Sequence, residues 1–262
     1  MGKTFVIAYI NSKDKKVIYL IEFIGIQMST VALVAAYNEE STAAETIENV
    51  LNYVDRVIFC NDGSIDRTLQ NVKKSFGHNP KVKIISWDKN RGKGYALIRG
   101  FEEFLKSEGD ILVTFDADGQ HYAEEISSLV ALIKQKISDI VIGARMILHS
   151  PSRVRIFFNV MVNLVMLLTT GSMYVDISSG LRAYSKNAIK KILPHLTLHD
   201  FGIEPEIMRA ASLSKLKVAT VPVNVNYQRG RKGNIWRLAN SYLRFAWVYR
   251  SDIIRRIFGR HK

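Results

Sequence analysis

The feature that most constrains this chain is a rhythm. From Val31 to Gly143, short apolar runs alternate with segments of helical spacing. The runs Val31–Ala36, Arg56–Cys60, Val82–Ser86, Ile111–Phe115 and Asp139–Gly143 have the length and the flanking residues of buried strands. Between them, Ser41–Tyr53, Ile65–Ser75, Gly92–Lys106 and Glu124–Gln135 read as helices, with Ser41 as N-cap candidate and Glu45 as an acid in the first turns. Strands alternating with helices predict βαβ units, hence an α/β fold whose mostly parallel central sheet carries helices on both faces. Ligands of such sheets bind at the carboxyl edge, so the residues that follow each strand are the first candidates for a site.

The second half is less regular. Arg153–Thr170, Asn187–Leu193 and Gly202–Ser214 read as helices, and Lys217–Val225 as a strand that Pro222 confines to an edge or an irregularity. Asn234–Phe258 reads as a long basic amphipathic helix or a helix pair. At the other end, Thr4–Ile10 and Val17–Phe23 alternate on either side of a charged turn and predict a hairpin, unless the functional start is Met28 and the residues before it are an upstream extension. The expected organisation is therefore an extension or hairpin over 1–30, a main domain over 31–233 and a basic helical segment over 234–262, within a length that can bury a core unaided.

Charge separates the two halves. The chain carries a net +13, yet residues 31–147 hold 14 basic and 17 acidic side chains, and residues 148–262 hold 19 basic and 5 acidic. An acidic site joined to a basic docking surface suits an anionic membrane better than nucleic acid, which the acidic sheet edge would repel. The single cysteine, Cys60, excludes an internal disulfide framework and a cysteine-based zinc site, fits a reducing compartment, and reads by itself as a small buried hydrophobe. No apolar run reaches the length of a membrane span; the nearest, Ile156–Thr170, is broken by Asn159 and Asn163. The first 27 residues lack the apolar h-region of a secretory signal.

Each expected strand of the first half ends in polar residues. Tyr37-Asn38-Glu39-Glu40 follows the first, Asn61-Asp62-Gly63-Ser64 the second, Asp88 to Gly94 the third, Asp116-Ala117-Asp118-Gly119-Gln120-His121 the fourth, and Arg145 the fifth. Asp116 and Asp118, with the Gln120 amide, are oxygen donors of the kind that holds a hard divalent cation together with substrate phosphates. A bare D-x-D is more often a solvated turn; its position directly behind an apolar strand favours the cation. Gly92-Lys93-Gly94 opens a helix and suits phosphate, or is simply the start of that helix; it lacks the Walker spacing. Asp62 either turns the chain into the next helix or accepts from a base or ribose. His121 reads as a surface histidine.

Taken in order, these loops resemble the family 2 glycosyltransferases of GT-A (nucleotide-diphospho-sugar transferase) fold. The resemblance is carried by Ala35-Ala36-Tyr37-Asn38-Glu39, by Asn61 to Thr68, by Asn90 to Gly94 and by Asp116 to His121. Asp176-Ile177-Ser178-Ser179-Gly180-Leu181-Arg182 and Phe201 to Ile207 are similar to elements of the dolichyl- and polyprenyl-phosphate sugar transferases. The resemblance implies that Ala35, Tyr37, Glu39, Cys60 and Asp62, with Lys93 and Ala117, bind the nucleotide, and that Asp116, Asp118 and Gln120 hold Mg²⁺ or Mn²⁺. It further implies that Arg145, Arg229 and Lys232 contact phosphates, that Asp176, Ser179 and Arg182 lie near the acceptor phosphate, and that Asp116, Asp118, Asp176 and Arg145 form the catalytic group. The donor would be GDP-mannose, UDP-glucose or UDP-N-acetylglucosamine. The acceptor would be a polyprenyl phosphate, with inversion at the sugar, and the enzyme would sit peripherally on the cytoplasmic face of the membrane. The alternative is a soluble or growing glycan acceptor.

There are departures from the pattern. Ala35 stands where the family often has proline, Asn61 where many members have a second aspartate, and Arg229 to Gly233 only approximates the basic closing segment. The Q-x-x-R-W element of processive polysaccharide synthases is missing. Toward a membrane, Leu243, Phe245, Trp247, Ile253, Ile254, Ile257 and Phe258 interleave with Arg244, Arg250, Arg255, Arg256 and Arg260. That pattern suits an interfacial helix, a core-packing helix with a solvated basic face, or both at once.

Overall fold

The computed structural model describes residues 6–12, 15–21, 28–145, 153–229 and 235–258. In chain order the elements are β1 (Val6–Ser12), β2 (Lys15–Ile21), β3 (Thr30–Ala36), α1 (Ala43–Leu51), β4 (Arg56–Asp62), α2 (Thr68–Phe76), β5 (Val82–Trp87), α3 (Lys93–Leu105) and β6 (Ile111–Asp116). They continue with α4 (Ile126–Lys134), β7 (Ile140–Arg145), α5 (Arg153–Thr170), β8 (Arg182–Ser185), α6 (Lys186–Ile192), α7 (Ile203–Leu213), β9 (Val218–Val223), α8 (Ile235–Val248) and α9 (Arg250–Phe258).

The strands form one sheet in the order β2-β1-β9-β7-β8-β6-β3-β4-β5. β3, β4, β5 and β6 are mutually parallel, and the antiparallel pairings of β8 with both β6 and β7 bring β7 and β9 back to that same direction. Only β1 and β8 run against the rest. The chain is thus an α/β protein with a mostly parallel sheet, and the carboxyl ends of β3 to β7 and β9 share one edge. The period of two along β3 divides its side chains between two cores. Ala32, Val34 and Ala36 pack with Ile47 of α1, Val72 of α2 and Leu129 of α4. Val31 and Leu33 pack with Phe101 and Phe104 of α3, Ile189 of α6, Ile207 of α7 and Phe245 of α8. Each fully buried Val, Leu, Ile or Phe among them contributes about 1.5–3 kcal/mol of apolar burial.

Several local expectations shift. The first helix starts at Ala43, so the residue at its N-cap is Thr42 and not Ser41. The second starts at Thr68 and not Ile65, because the Asp66 carboxylate accepts from Thr68 N at 2.9 Å and turns the preceding residues. β8, four residues long and inverted, has no counterpart in the sequence reading; so short a strand leaves no alternation to detect. β9 is flanked on both sides, but β1 pairs only with Ala219 and Thr220, and Pro222 lies beyond that ladder. The basic tail is a helix pair, α8 and α9. Residues β1 and β2 form an antiparallel hairpin added to the sheet beside β9.

Candidate active site

At the shared carboxyl edge the loops enclose a cleft of about 800 Å³, floored by strand ends and walled on the far side by α7 and α8. The loops after β3 and β4 brace one another. Asn38 N donates to Ser64 Oγ at 2.9 Å, Glu39 N to Thr68 Oγ1 at 2.7 Å, and Ile65 N to Asn38 Oδ1 at 2.8 Å. Asn38 sits at φ +56°, a conformation its short amide side chain tolerates. This lacing presents Ala35, Tyr37 and Glu39 to the cleft.

Asp62 also reaches the cleft, but its carboxylate is occupied. Oδ1 accepts from Trp87 Nε1 at 2.6 Å and Arg91 N at 2.8 Å; Oδ2 accepts from Asn90 Nδ2 and Gly92 N, both at 2.9 Å. Four acceptances fill a carboxylate's lone-pair sites. Asp62 therefore holds the loop that leads into α3, a correction to its expected role in accepting from the nucleotide. The start of α3 is occupied as well. The His199 carbonyl accepts from Gly94 N at 2.8 Å, and a Cβ on Gly92 or Gly94 would meet backbone at 2.2 Å. The N–H groups of Gly92 and Gly94 are thus taken by Asp62 and His199 and are not free to cradle a phosphate.

Lys93 turns inward instead. Its Nζ lies 2.9 Å from Asp116 Oδ1, 3.2 Å from Asp116 Oδ2 and 2.8 Å from Glu204 Oε1. Burial works against the ammonium, but the Asp116 and Glu204 charges outweigh it and hold Lys93 above the usual lysine range. Burial likewise works against the Asp116 charge, and Lys93 outweighs it, so Asp116 stays below the usual carboxylate range. Asp118 behaves oppositely: burial, and then repulsion from Asp116, push it up to about 6. Asp116, Ala117, Asp118 and Gln120 all line the cleft. Gly180 makes room for Asp116, since a Cβ there would lie 2.0 Å from Asp116 Oδ2.

Two carboxylates facing one space, one raised by the charge of the other, are an oxygen-only donor set suited to a hard divalent cation whose shell is completed by phosphates and water. Among the described residues no group of three or more His, Cys, Asp or Glu gathers to hold an ion alone. The donor set fits Mg²⁺ or Mn²⁺ on that condition. Gln120 Nε2 donates to the Arg229 carbonyl at 2.9 Å, which ties the loop after β6 to the chain after β9.

Arg145 and Asp176 form the second charged unit. Asp176 is wholly buried and sits at φ +49°. Arg145 Nε and Nη2 each reach it at 2.7 Å, Arg145 N donates to Oδ2 at 2.9 Å, and Ser178 Oγ lies 3.2 Å from Oδ1. Burial opposes both charges and the pairing outweighs it, depressing Asp176 and raising Arg145. Asp176 lines the cleft, but its oxygens are committed to orienting Arg145.

Other expectations are corrected by burial. Cys60 is fully buried in β4, its thiol pushed up to about 12 by burial, and it does not line the cleft. Ser179 and Arg182 are also buried. Ser179 Oγ donates to the Gly143 carbonyl at 2.6 Å, and Arg182 donates to the carbonyls of Ser179, Ile177 and Glu204. Both are scaffold for the loop that carries Gly180, so neither reaches an acceptor phosphate. Arg229 is not among the residues lining the cleft; its Nη1 lies 2.7 Å from Glu45 Oε1. Lys232 lies outside the described residues. His121 is buried against Phe115 and held down at about 4 by burial, so it is no surface histidine.

The far wall carries residues to which the sequence assigned no role in the site. Glu204 at the start of α7, Tyr227, and Arg237, Asn240, Ser241, Tyr242 and Arg244 of α8 line the cleft. The signal was present in α8. Polar residues at 237, 240, 241 and 244 follow the i, i+3, i+4, i+7 spacing of one helix face, while Ala239, Tyr242 and Phe245 are buried. Trp236, Leu243 and Trp247 are exposed, at 73%, 68% and 66%. α5 adds Phe157, Val160 and Leu164 to the exposed apolar residues, and α5, α8 and α9 pack on one another. Among the described residues no helix is long and apolar enough to cross a membrane.

Comparison with known proteins agrees with this geometry. Residues 31–193 match the family described as "Glycosyl transferase family 2". An uncharacterized protein of Methanocaldococcus jannaschii is 32% identical over 200 residues, 74% of this chain and 80% of that protein. A UDP-N-acetylglucosamine–dolichyl-phosphate N-acetylglucosaminyltransferase of Methanococcus voltae is 30% identical over 214 residues, 74% of this chain and 84% of that enzyme. In fold, a solved mycobacterial protein superposes with a TM-score of 0.66 at 18% identity over 87% of this chain and 74% of that one. A Pyrobaculum calidifontis mannosyltransferase, solved with GDP-Man and Mn²⁺, superposes with 0.56 at 18% over 90% and 66%. With residues 31–193, which carry the strand-edge carboxylates Asp116 and Asp118, matched to that family, the protein belongs to glycosyl transferase family 2.

Proposed function

We propose that this glycosyltransferase moves a hexose, with inversion, from a nucleoside-diphosphate sugar to a polyprenyl phosphate at the cytoplasmic face of a membrane. The observation that carries the reading is the composition of the cleft's two walls. One is a set of oriented carboxylates at the strand ends; the other is α8, which turns Arg237 and Arg244 to the cleft and Leu243 and Trp247 to the outside. A lipid phosphate needs both: a cationic wall for its head and an apolar surface beside it for its tail. The Methanococcus voltae relative carries a dolichyl-phosphate acceptor in its name, which supports the same reading.

In this mechanism Ala35, Tyr37 and Glu39 receive the nucleoside, and Asp116 and Asp118, with Gln120, would hold Mg²⁺ or Mn²⁺. The bound ion supplies neutralisation of the negative charge that develops on the departing nucleoside diphosphate. Arg145, fixed in orientation by Asp176, adds a cation that need not reorganise as that charge grows. A phosphate acceptor is ionised near neutral pH, so the site has to align it with the sugar C1 rather than deprotonate it. The basic, apolar layer of α5, α8 and α9 brings the cleft to an anionic bilayer.

The test is a product assay with purified protein, Mn²⁺ and a polyprenyl phosphate in detergent. Labelled GDP-mannose, UDP-glucose and UDP-N-acetylglucosamine are offered separately. Metal-dependent label in the organic phase from one donor, absent in Asp116→Ala, is the expected result and names the sugar. Donor consumption with only water-soluble product would overturn the acceptor assignment and favour a glycan acceptor.

A further inference from the structure

Lys93 is an internal cation already seated on the carboxylate that the proposed metal requires. Its ammonium covers both Asp116 oxygens, at 2.9 and 3.2 Å, and would repel a divalent ion placed there. The third contact changes this balance. Glu204 Oε1 lies 2.8 Å from the same Nζ, and among the described residues Glu204 Oε2 is buried with no hydrogen-bond partner. An orphaned carboxylate oxygen at 3% residue exposure is costly unless a charge can come to it. Space for that movement is present: a small void of about 10 Å³ lies among Lys93, Asp116, Gly180 and Glu204.

We infer that Glu204 is a positioning residue that takes over the Lys93 ammonium when a divalent cation occupies Asp116, so that the ion is not opposed by a fixed positive charge. The step is a displacement of one ammonium between two carboxylates, with no bond made or broken. In the ion-free protein Lys93 bridges and keeps Asp116 ionised; in the loaded protein it is paired with both Glu204 oxygens. Burial lifts the Glu204 carboxyl above the usual range, and the Lys93 charge opposes that rise without cancelling it. The inference rests on the reading of Asp116 as a metal ligand.

The experiment measures Mn²⁺ affinity directly, by calorimetry and by the loss of the free-Mn²⁺ paramagnetic resonance signal, with UDP or GDP present and no acceptor. The variants are Glu204→Gln, Lys93→Met and the double variant, each checked for folding by its thermal transition. Glu204→Gln strands the ammonium on Asp116 and is expected to weaken Mn²⁺ binding about tenfold. The double variant removes the stranded charge and is expected to return the Kd to within about threefold of the parent, a recovery that a merely structural loss does not give. Lys93→Met alone is expected to bind Mn²⁺ at least as tightly as the parent, and this arm stands even where Glu204→Gln fails to fold. Parent-like affinity in folded Glu204→Gln, no recovery in the double variant, or weaker binding in Lys93→Met would overturn the inference while leaving the metal reading intact. Absence of Mn²⁺ binding by the parent would overturn the metal reading itself.

Discussion

The two walls of the cleft hold their charge in opposite ways. On the sheet-edge wall Asp116 and Asp176 are paired with Lys93 and Arg145 at 2.9 and 2.7 Å, and the Asp176 side chain has no exposure at all. On the helical wall Arg244 stands 3.6 Å from Asp200 with 66% of its side chain exposed, and Leu243 and Trp247 face outward. Buried, paired charges cost desolvation and keep their positions; exposed ones are screened and adapt to what arrives. Chemistry that depends on alignment belongs on the first wall and surface binding on the second. That division can be broken or sharpened by substitution.

The largest effect is expected from Asp116→Ala, which should lower turnover by at least about a hundredfold while vesicle binding stays unchanged. Gly180→Ala sharpens the point without removing a charge. Its new methyl would fall 2.0 Å from Asp116 Oδ2, so Asp116 must move, and kcat should drop by about tenfold or more with little change in vesicle co-sedimentation. Asp176→Asn leaves Arg145 without its counter-charge; about 3 kcal/mol of stability should be lost in a denaturant titration, together with activity. On the other wall, Leu243→Ser with Trp247→Ser should weaken binding to anionic vesicles by roughly tenfold and leave nucleotide affinity as in the parent. The smallest effect is one of pH. Asp118, lifted to about 6, gains its proton as pH falls through that value, so Mn²⁺ affinity should decline below pH 6. In the ion-free protein the sign is reversed. The folded carboxyl binds a proton more readily than the unfolded one, so this group's contribution to stability falls as pH rises from about 4 to 6.

The sheet-edge wall was largely legible in the sequence because parallel strands are apolar throughout and their polar ends stand out. Val31–Ala36 and Ile111–Phe115 fall within β3 and β6, and Asp116 and Asp118 face the cleft that follows. What a motif does not carry is which partner claims a side chain. Asp62 and Asp176 stand in readable loops, yet backbone donors from the residues around Gly92 and the guanidinium of Arg145, both distant in sequence, consume their oxygens. Ser179 and Arg182 share a segment with Gly180, but both are buried and spend their side chains on backbone carbonyls, while Gly180 lies under Asp116. Glu204 was in view as part of a segment without a role. Its meaning depends on α7 lying opposite α3, a tertiary fact that no local spacing encodes.

The most direct measurement is a double dissociation on one vesicle preparation. Turnover and co-sedimentation are recorded together for the parent, for Asp116→Ala, and for Leu243→Ser with Trp247→Ser. The account predicts that Asp116→Ala sediments with vesicles like the parent but forms no lipid-linked product. It also predicts that the tail variant stays largely in the supernatant and regains turnover when the acceptor is presented in detergent. Loss of vesicle binding in Asp116→Ala, or loss of turnover in detergent by the tail variant, would contradict the assignment of chemistry to one wall and docking to the other.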